Sequence, residues 1–282
     1  LTLADVSHQV RCWCHPVRSL LEKHLGMRTS CAEDLLPESE AFAPDRLQQY
    51  LLTQEIMERL QNEQPSNAPL HLHQATGNLP GGSFGNLLYQ KMHEQAEDLV
   101  AKMAELTRQP VEAIQVDIHL GEVHLYGRLA PLYRNGRVTS RPANLKGRDL
   151  LQLWIHHLIL LLSKPDGVEP RSFHGAMDKT VSFSKVETPG EELGKLIRLY
   201  QCGICEPLHF YPETSYAWAK AKSPGAAKNG AHQAWQGGFG RRGEGEDRAY
   251  EIALQGQEPL DKIFIELATE VFGPIVGYMK TV

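Results

Sequence analysis

The sequence predicts a mixed α/β fold, α+β in its layout, with a central mixed sheet flanked by helices and helical additions at both ends. Three observations predict it. Ile114, Val116, Ile118 and Leu120 alternate with polar residues, and Val123 and Leu125 resume the alternation after the Gly121-Glu122 turn; a period of two marks half-buried strands. Arg134-Asn135-Gly136 signals a hairpin into a third strand at Arg137–Arg141. From Leu145 to Leu162 the period lengthens, and Leu150, Leu151, Trp154, Ile155, Leu158, Leu161 and Leu162 fall at helical spacing.

The first 110 residues read as a helical lead-in to a core at 111–282, the two packed as one compact domain. Ser7–Leu25 is expected to form two helices meeting near His15-Pro16, the second closed by Gly26. Cys31–Pro44 is acidic and contains prolines, which suits a surface linker. Asp45–Gln61 is expected to be a helix with Leu47, Tyr50, Leu51, Ile56 and Leu60 on its apolar side, and Gln64–Pro69 a loop. Leu79-Pro80-Gly81-Gly82 punctuates the chain before a helix over Ser83–Thr107, with Ser83 as its cap. Past the Pro165-Asp166-Gly167 turn, strands are expected at Arg171–Gly175 and Thr180–Val186 and a helix at Gly190–Gln201. Pro212–Trp235 reads as short helices split by Ser223-Pro224-Gly225, then a Gly-rich loop at Gln236–Asp247, a strand at Tyr250–Leu254 and a closing helix at Leu260–Phe272.

Composition narrows the function classes. A chain of 282 residues that is 41% hydrophobic can bury one sizeable core. No window reaches about 18 uninterrupted apolar residues, so no membrane span is expected, and no charged-then-apolar leader is visible. The first residue is Leu rather than Met, which suits a fragment of a longer chain. Five scattered cysteines suit a reducing cytoplasm better than a disulfide framework. A net charge of -5 argues against a uniformly basic coat but leaves room for a local basic patch.

An ordered set of segments carries a resemblance. Trp13–Met27 (WCHPVRSLLEKHLGM), Pro80–Gly85 (PGGSFG), Gly127-Arg128-Leu129 followed by Arg141-Pro142, Leu153–Leu158 (LWIHHL) and Pro207–Ser215 (PLHFYPETS) resemble, in that order, the C-terminal domain of RecC, the gamma chain of exodeoxyribonuclease V. The resemblance implies a PD-(D/E)xK restriction-endonuclease-like core, catalytically silent, in a helicase–nuclease that acts in double-strand break repair. It implies contacts with RecB and RecD subunits and with DNA, as a duplex end or as single strands, and a part in splitting and guiding strands. No cofactor is implied.

The residues test the silence directly. A two-metal nuclease holds its cations with carboxylate oxygens. Active relatives carry a His on the helix before the sheet, an Asp three residues past a Gly on the second strand, and D-x-K on the third. Here those positions fall at Asn86, at Ala130, and at Thr139-Ser140-Arg141, and 137–144 contains no acid. Arg141 keeps a positive charge, as a phosphate clamp rather than a water-positioning amine. The rival expectation is an active metal-dependent nuclease with rearranged ligands, drawn from Asp117, Glu122 and the alternating His119 and His124; a wet sheet face explains the same pattern. Asp149 and Glu169 are weaker candidates still.

Cys202-Gly203-Ile204-Cys205 invites a metal reading, since AddB-type relatives of this fold hold an iron–sulfur cluster. Cys14 is the one further candidate thiolate, and three do not close a four-ligand site without His15, His209 or an outside ligand. His156-His157, in an apolar helix, reads as packing. DNA contact is expected first at Arg134, Arg137, Arg141, Lys146 and Arg148, then at Lys220, Lys222, Lys228, Arg241 and Arg242. Tyr126, Tyr133, Trp235 and Phe239 interleave as stacking platforms. Gln236–Asp247 is a candidate strand-splitting loop.

Overall fold

The computed structural model describes residues 2–27, 44–65, 68–238 and 240–282. Strand β1 (Thr2–Asp5) opens the chain and runs parallel to a later strand, a pairing with no local sequence signal. Helix α1 (Val6–Cys14) begins on the Asp5 side chain, which accepts from His8 N at 2.8 Å. Pro16 opens the short α2 (Pro16–Ser19), a π-helical turn follows at Leu20–His24, and Gly26 stands at φ +66° just beyond. Almost all of the expected linker, with Cys31, lies outside the described residues.

Helix α3 (Arg46–Gln61) starts in a capping box between Asp45 and Gln48. Its buried side is Leu52, Thr53, Ile56 and Met57, whereas Leu47 and Leu51 are exposed, so the expected apolar face is corrected. The reason is its partner: this helix packs chiefly on one long helix, with Val138 and Phe173 of the sheet beyond, and needs only a narrow stripe. Helix α4 (Ala68–Ala75) begins inside the stretch expected to be a loop. Helix α5 (Gly82–Thr107) starts one residue earlier than expected, with Gly81 at the cap and no side-chain cap from Ser83.

The strand pattern holds. A short β2 (Pro110–Val111) leads into β3 (Ile114–Leu120), which turns into β4 (Val123–Leu129). The short β5 (Leu132–Tyr133) leads through Gly136 into β6 (Arg137–Ser140). Gly136 sits at φ +118° with the Arg171 carbonyl 2.1 Å from where a Cβ would stand, so no other residue fits there. Helix α6 is Gly147–Ser163; β7 (Ser172–Gly175) and β8 (Thr180–Phe183) follow, then α7 (Pro189–Gly203), α8 (Pro212–Ala219) and α9 (Pro224–Gln236). The Gly-rich stretch is a tight β9 (Gly237–Gly238) and β10 (Arg241–Arg242) ribbon ending in a 3-10 turn at Glu244–Glu246. Phe239 and the Arg241 side chain lie outside what is described.

The strand expected at Tyr250–Leu254 is instead helix α10 (Arg248–Leu254). Tyr250, Ile252 and Leu254 alternate, but the Asp247 side chain accepts from Ala249 N at 2.9 Å and starts a helical turn, burying Ala249, Tyr250 and Leu254. Helix α11 (Lys262–Tyr278) runs past its expected end at Phe272 and passes through Pro274; β11 (Lys280–Thr281) closes the chain.

Hydrogen bonding divides the strands into a three-stranded sheet, β1-β4-β3, and a four-stranded sheet, β11-β8-β7-β6. The antiparallel β2–β5 pair leads into a strand of each. Helix α6 is the centre of the fold. It packs on α1, α7, α8, α11 and on strands of both sheets, and is buried nearly all round rather than on one stripe. Its leucines, Trp154 and Ile155 join Val6, Val10 and Trp13 of the lead-in in one core, and a second core packs α3 and α5 against Val138 and Phe173. Among the described residues no helix is long and apolar enough to cross a membrane.

Candidate functional site

Where β6 leaves the sheet, a cavity of about 370 Å³ opens between α3, β6 and the start of α6. Its floor follows from strand alternation. Arg137, Thr139 and Arg141 share one face of the β6 segment, toward α6, while Val138 turns into the second core. In the parallel β6–β7 register, Thr139 stands beside His174, and the Thr139 hydroxyl lies 3.0 Å from His174 Nδ1. Tyr50, Gln54 and Met57 of α3 wall the opposite side, and Asp149 and Gln152 project from α6.

The acid in this pocket is already engaged. Asp149 is 8% exposed; its Oδ2 takes Arg141 Nη2 at 2.5 Å and Lys146 N at 2.9 Å. Arg141 also donates to the Asn144 carbonyl at 3.1 Å. The cations are less well matched. Arg137, placed by the sequence in a surface cluster, is 3% exposed, and neither its Nε nor its Nη1 has a hydrogen-bond partner among the described residues. Burial lowers its pKa to about 10. Arg141 Nε and His174 Nε2 are likewise buried and unpartnered, and burial, against the pull of Asp149, keeps the His174 pKa below the ordinary value.

Thr139 and Arg141 thus meet in one pocket, and Pro131, next to the exposed Ala130, lines it. Asn86 lies apart near the start of α5, where its Oδ1 accepts from Gln74 at 2.9 Å. Arg134, Lys146 and Arg148 are exposed around the pocket's rim strand and helix start. His174 and Tyr50 escaped sequence reasoning, because each reaches the pocket through pairing or packing distant in the chain. A larger cleft of about 690 Å³ at the far end of α6, with Leu160, Leu161, Val168 and Val186 in its lining, holds the weak candidate Glu169 but none of the aligned nuclease positions or expected DNA contacts.

The start of α6 is fixed from a distance. Glu213, in the first turn of α8, accepts from Gly147 N at 2.9 Å and Arg148 N at 3.4 Å. Glu244 in turn accepts from Glu213 N at 3.2 Å and Thr214 N at 2.7 Å, and burial pushes its pKa up to about 7. The Gly-rich ribbon is therefore linked to the pocket through two successive helix starts.

Among the described residues one group brings three candidate metal ligands together. Asp117, His119 and His124 place their ligand atoms within 4.8 Å of one another on the face of β3 and β4, with the two rings stacked 4.2 Å apart. Glu122 is exposed in the turn and stands outside that group. Cys202 and Cys205 are exposed at the end of α7, and Cys14, half-buried with its pKa raised to about 11 by burial, lies near Arg148 and Asp149. His156 and His157 are buried and bonded inside the fold: His156 Nδ1 donates to the Gln152 carbonyl at 2.7 Å and His157 Nε2 to the Ser184 carbonyl at 2.6 Å.

Comparison with known proteins gives a consistent result. The family described as the RecC C-terminal domain matches residues 4–223. The chain is 26% identical over 258 residues to the RecBCD enzyme subunit RecC of Escherichia coli K12, covering 86% of this chain and 22% of that protein. It is 30% identical over 155 residues to RecC of Mycolicibacterium smegmatis, covering 53% and 14%, and 26% identical over 237 residues to RecC of Mycobacterium tuberculosis H37Rv, covering 81% and 21%. The chain matches between about a seventh and about a fifth of the length of these relatives.

Proposed function

This chain belongs to the RecC C-terminal domain family, and from that premise we propose that it is a non-catalytic, nuclease-like module of a RecBCD helicase–nuclease. In this reading it guides and splits DNA strands and docks the RecB and RecD partners during double-strand break repair. The order β3-β4-β6-α6-β7 after helix α5 of the lead-in, with β6 parallel to β7, supports a PD-(D/E)xK ancestry for the 111–282 core. One observation carries the loss of catalysis: the pocket at the expected metal positions presents Arg137, Thr139 and Arg141, and its buried acid, Asp149, is neutralised by Arg141. A carboxylate held by a guanidinium is not free to bind a hard cation. Exposed Arg134, Lys146 and Arg148 supply phosphate contacts beside the pocket, and exposed Leu47 and Leu51, four residues apart on α3, supply apolar surface for a partner.

Binding of a forked duplex tests the DNA role. Affinity should fall steeply with added salt, and Arg134→Ala with Arg148→Ala should weaken it and flatten the salt dependence; affinity indifferent to salt and to both substitutions would refute it. The Asp117–His119–His124 group favours a second reading, a rearranged metal-dependent nuclease, which requires divalent-dependent cleavage that Asp117→Ala abolishes.

A further inference from the structure

A buried guanidinium with no counter-charge is a rare and costly feature. Arg137 is such a group: no carboxylate pairs with it among the described residues. It is not isolated in its lack of partners. Arg137 Nε and Nη1, Arg141 Nε and His174 Nε2 are four buried nitrogen atoms without partners, carried by three side chains that line one cavity. His174 Nε2 is a donor when its Nδ1 accepts the Thr139 hydroxyl proton. Charge on the inner wall favours an anion. Asp149 is offset by Arg141, which leaves Arg137 as the uncompensated charge, and Glu58 is on the exposed rim. The cavity is roomy enough for a tetrahedral oxyanion, whose several acceptor oxygens match the unpartnered donors of the side chains that line it.

We propose that this cavity is a phosphate-group site centred on Arg137, with Arg141 and His174 as its other donors and Thr139 fixing the His174 tautomer. This rests on the proposed nuclease-like reading of the same pocket and names what the pocket now holds: the phosphate stays as the ligand after the cations are gone. The group can arrive as free phosphate, as the phosphorylated end of a strand, or as a backbone phosphodiester.

Inorganic phosphate titrated into the full chain by calorimetry, with thermal melting in parallel, tests it without DNA. Wild type should bind one phosphate saturably and melt higher as phosphate rises. Arg137→Met should lose the saturable binding, and without phosphate it should melt no lower than wild type, because the unpaired charge is gone. Arg198→Met, an exposed arginine on α7, should respond as wild type does, which removes the general stabilising effect of phosphate from the comparison. If Arg137→Met does not fold, Arg137→Lys keeps the charge without the fork and should bind about tenfold more weakly. Oligonucleotides with and without a 5′-phosphate then separate the sources: competition by both points to the backbone, by the phosphorylated one alone to a strand end, by neither to the free ion. No saturable binding by wild type, or equal binding by Arg137→Met, overturns the proposal, including the case in which a partner's carboxylate fills the cavity. A chain that binds forked DNA through Arg134 and Arg148 but not phosphate sinks this inference alone; one that binds phosphate but not DNA sinks the strand-guiding role alone.

Discussion

Arg141 Nη2 and Asp149 Oδ2 meet at 2.5 Å, with the two side chains 18% and 8% exposed. The pair joins the end of β6 to the first turn of α6, so the pocket's acid serves as a structural counter-ion. Removing one partner leaves the other buried and uncompensated, which costs about 3 kcal/mol or more. Arg141→Met should therefore lower stability by that order in urea titration, and Asp149→Asn by less, since the amide oxygen still accepts from Lys146 N. The double variant should recover part of the loss; additive effects would mean that the pair is not coupled.

Glu244 makes one stretch of the pH profile run against the usual direction. Its folded pKa, about 7, lies above the ordinary 4.5, so between those values the folded chain binds the proton more tightly and stability falls as pH rises. The shift corresponds to about 3 kcal/mol at pH 7. Glu244→Gln keeps an acceptor for Thr214 N and should remove that slope; an unchanged profile would show that Glu244 is not protonated near neutrality.

His156 and His157 act oppositely. Burial lowers their pKa values to about 3 and about 4 from 6.5, so below pH 6.5 the unfolded chain takes up protons that the folded chain refuses. Stability is lost as pH falls from 6.5 toward 4, by about 3 kcal/mol for each histidine at pH 4. Melting temperatures across that window should drop, and His157→Phe should make the drop shallower.

Gly147 permits the close approach of α6 and α8: an added Cβ would lie 2.3 Å from the Pro212 carbonyl oxygen. Gly147→Ala should cost about 2 kcal/mol by overpacking and should also loosen Glu213 at the α6 start. Chemical denaturation checks the first, and hydrogen exchange at Gly147 and Arg148 the second.

Much of the scaffold was legible because its periodicity is local. The alternation from Ile114 to Leu125 and the apolar run of α6 mark their elements without help from distant residues, as do the Pro and Ser signals around α8 and α9. What escaped depends on partners far along the chain. β1 is four residues long and is a strand only because it lies beside β4. The buried face of α3 follows from its packing on α5. At the pocket, Thr139 and Arg141 were placed by motif alignment and Asp149 was named only as a weak metal candidate, but His174 arrives through the β6–β7 register. The inward aim of Arg137 is invisible too, since alternation marks two faces without saying which is covered.

Incubation of the full chain with linear duplex and single-stranded DNA, in Mg²⁺ and separately in Mn²⁺, tests the loss of catalysis at this pocket. A scaffold whose pocket offers arginines and one neutralised aspartate should leave both substrates intact in either cation. Divalent-dependent cleavage that disappears in Asp149→Asn or Asp117→Ala would contradict it.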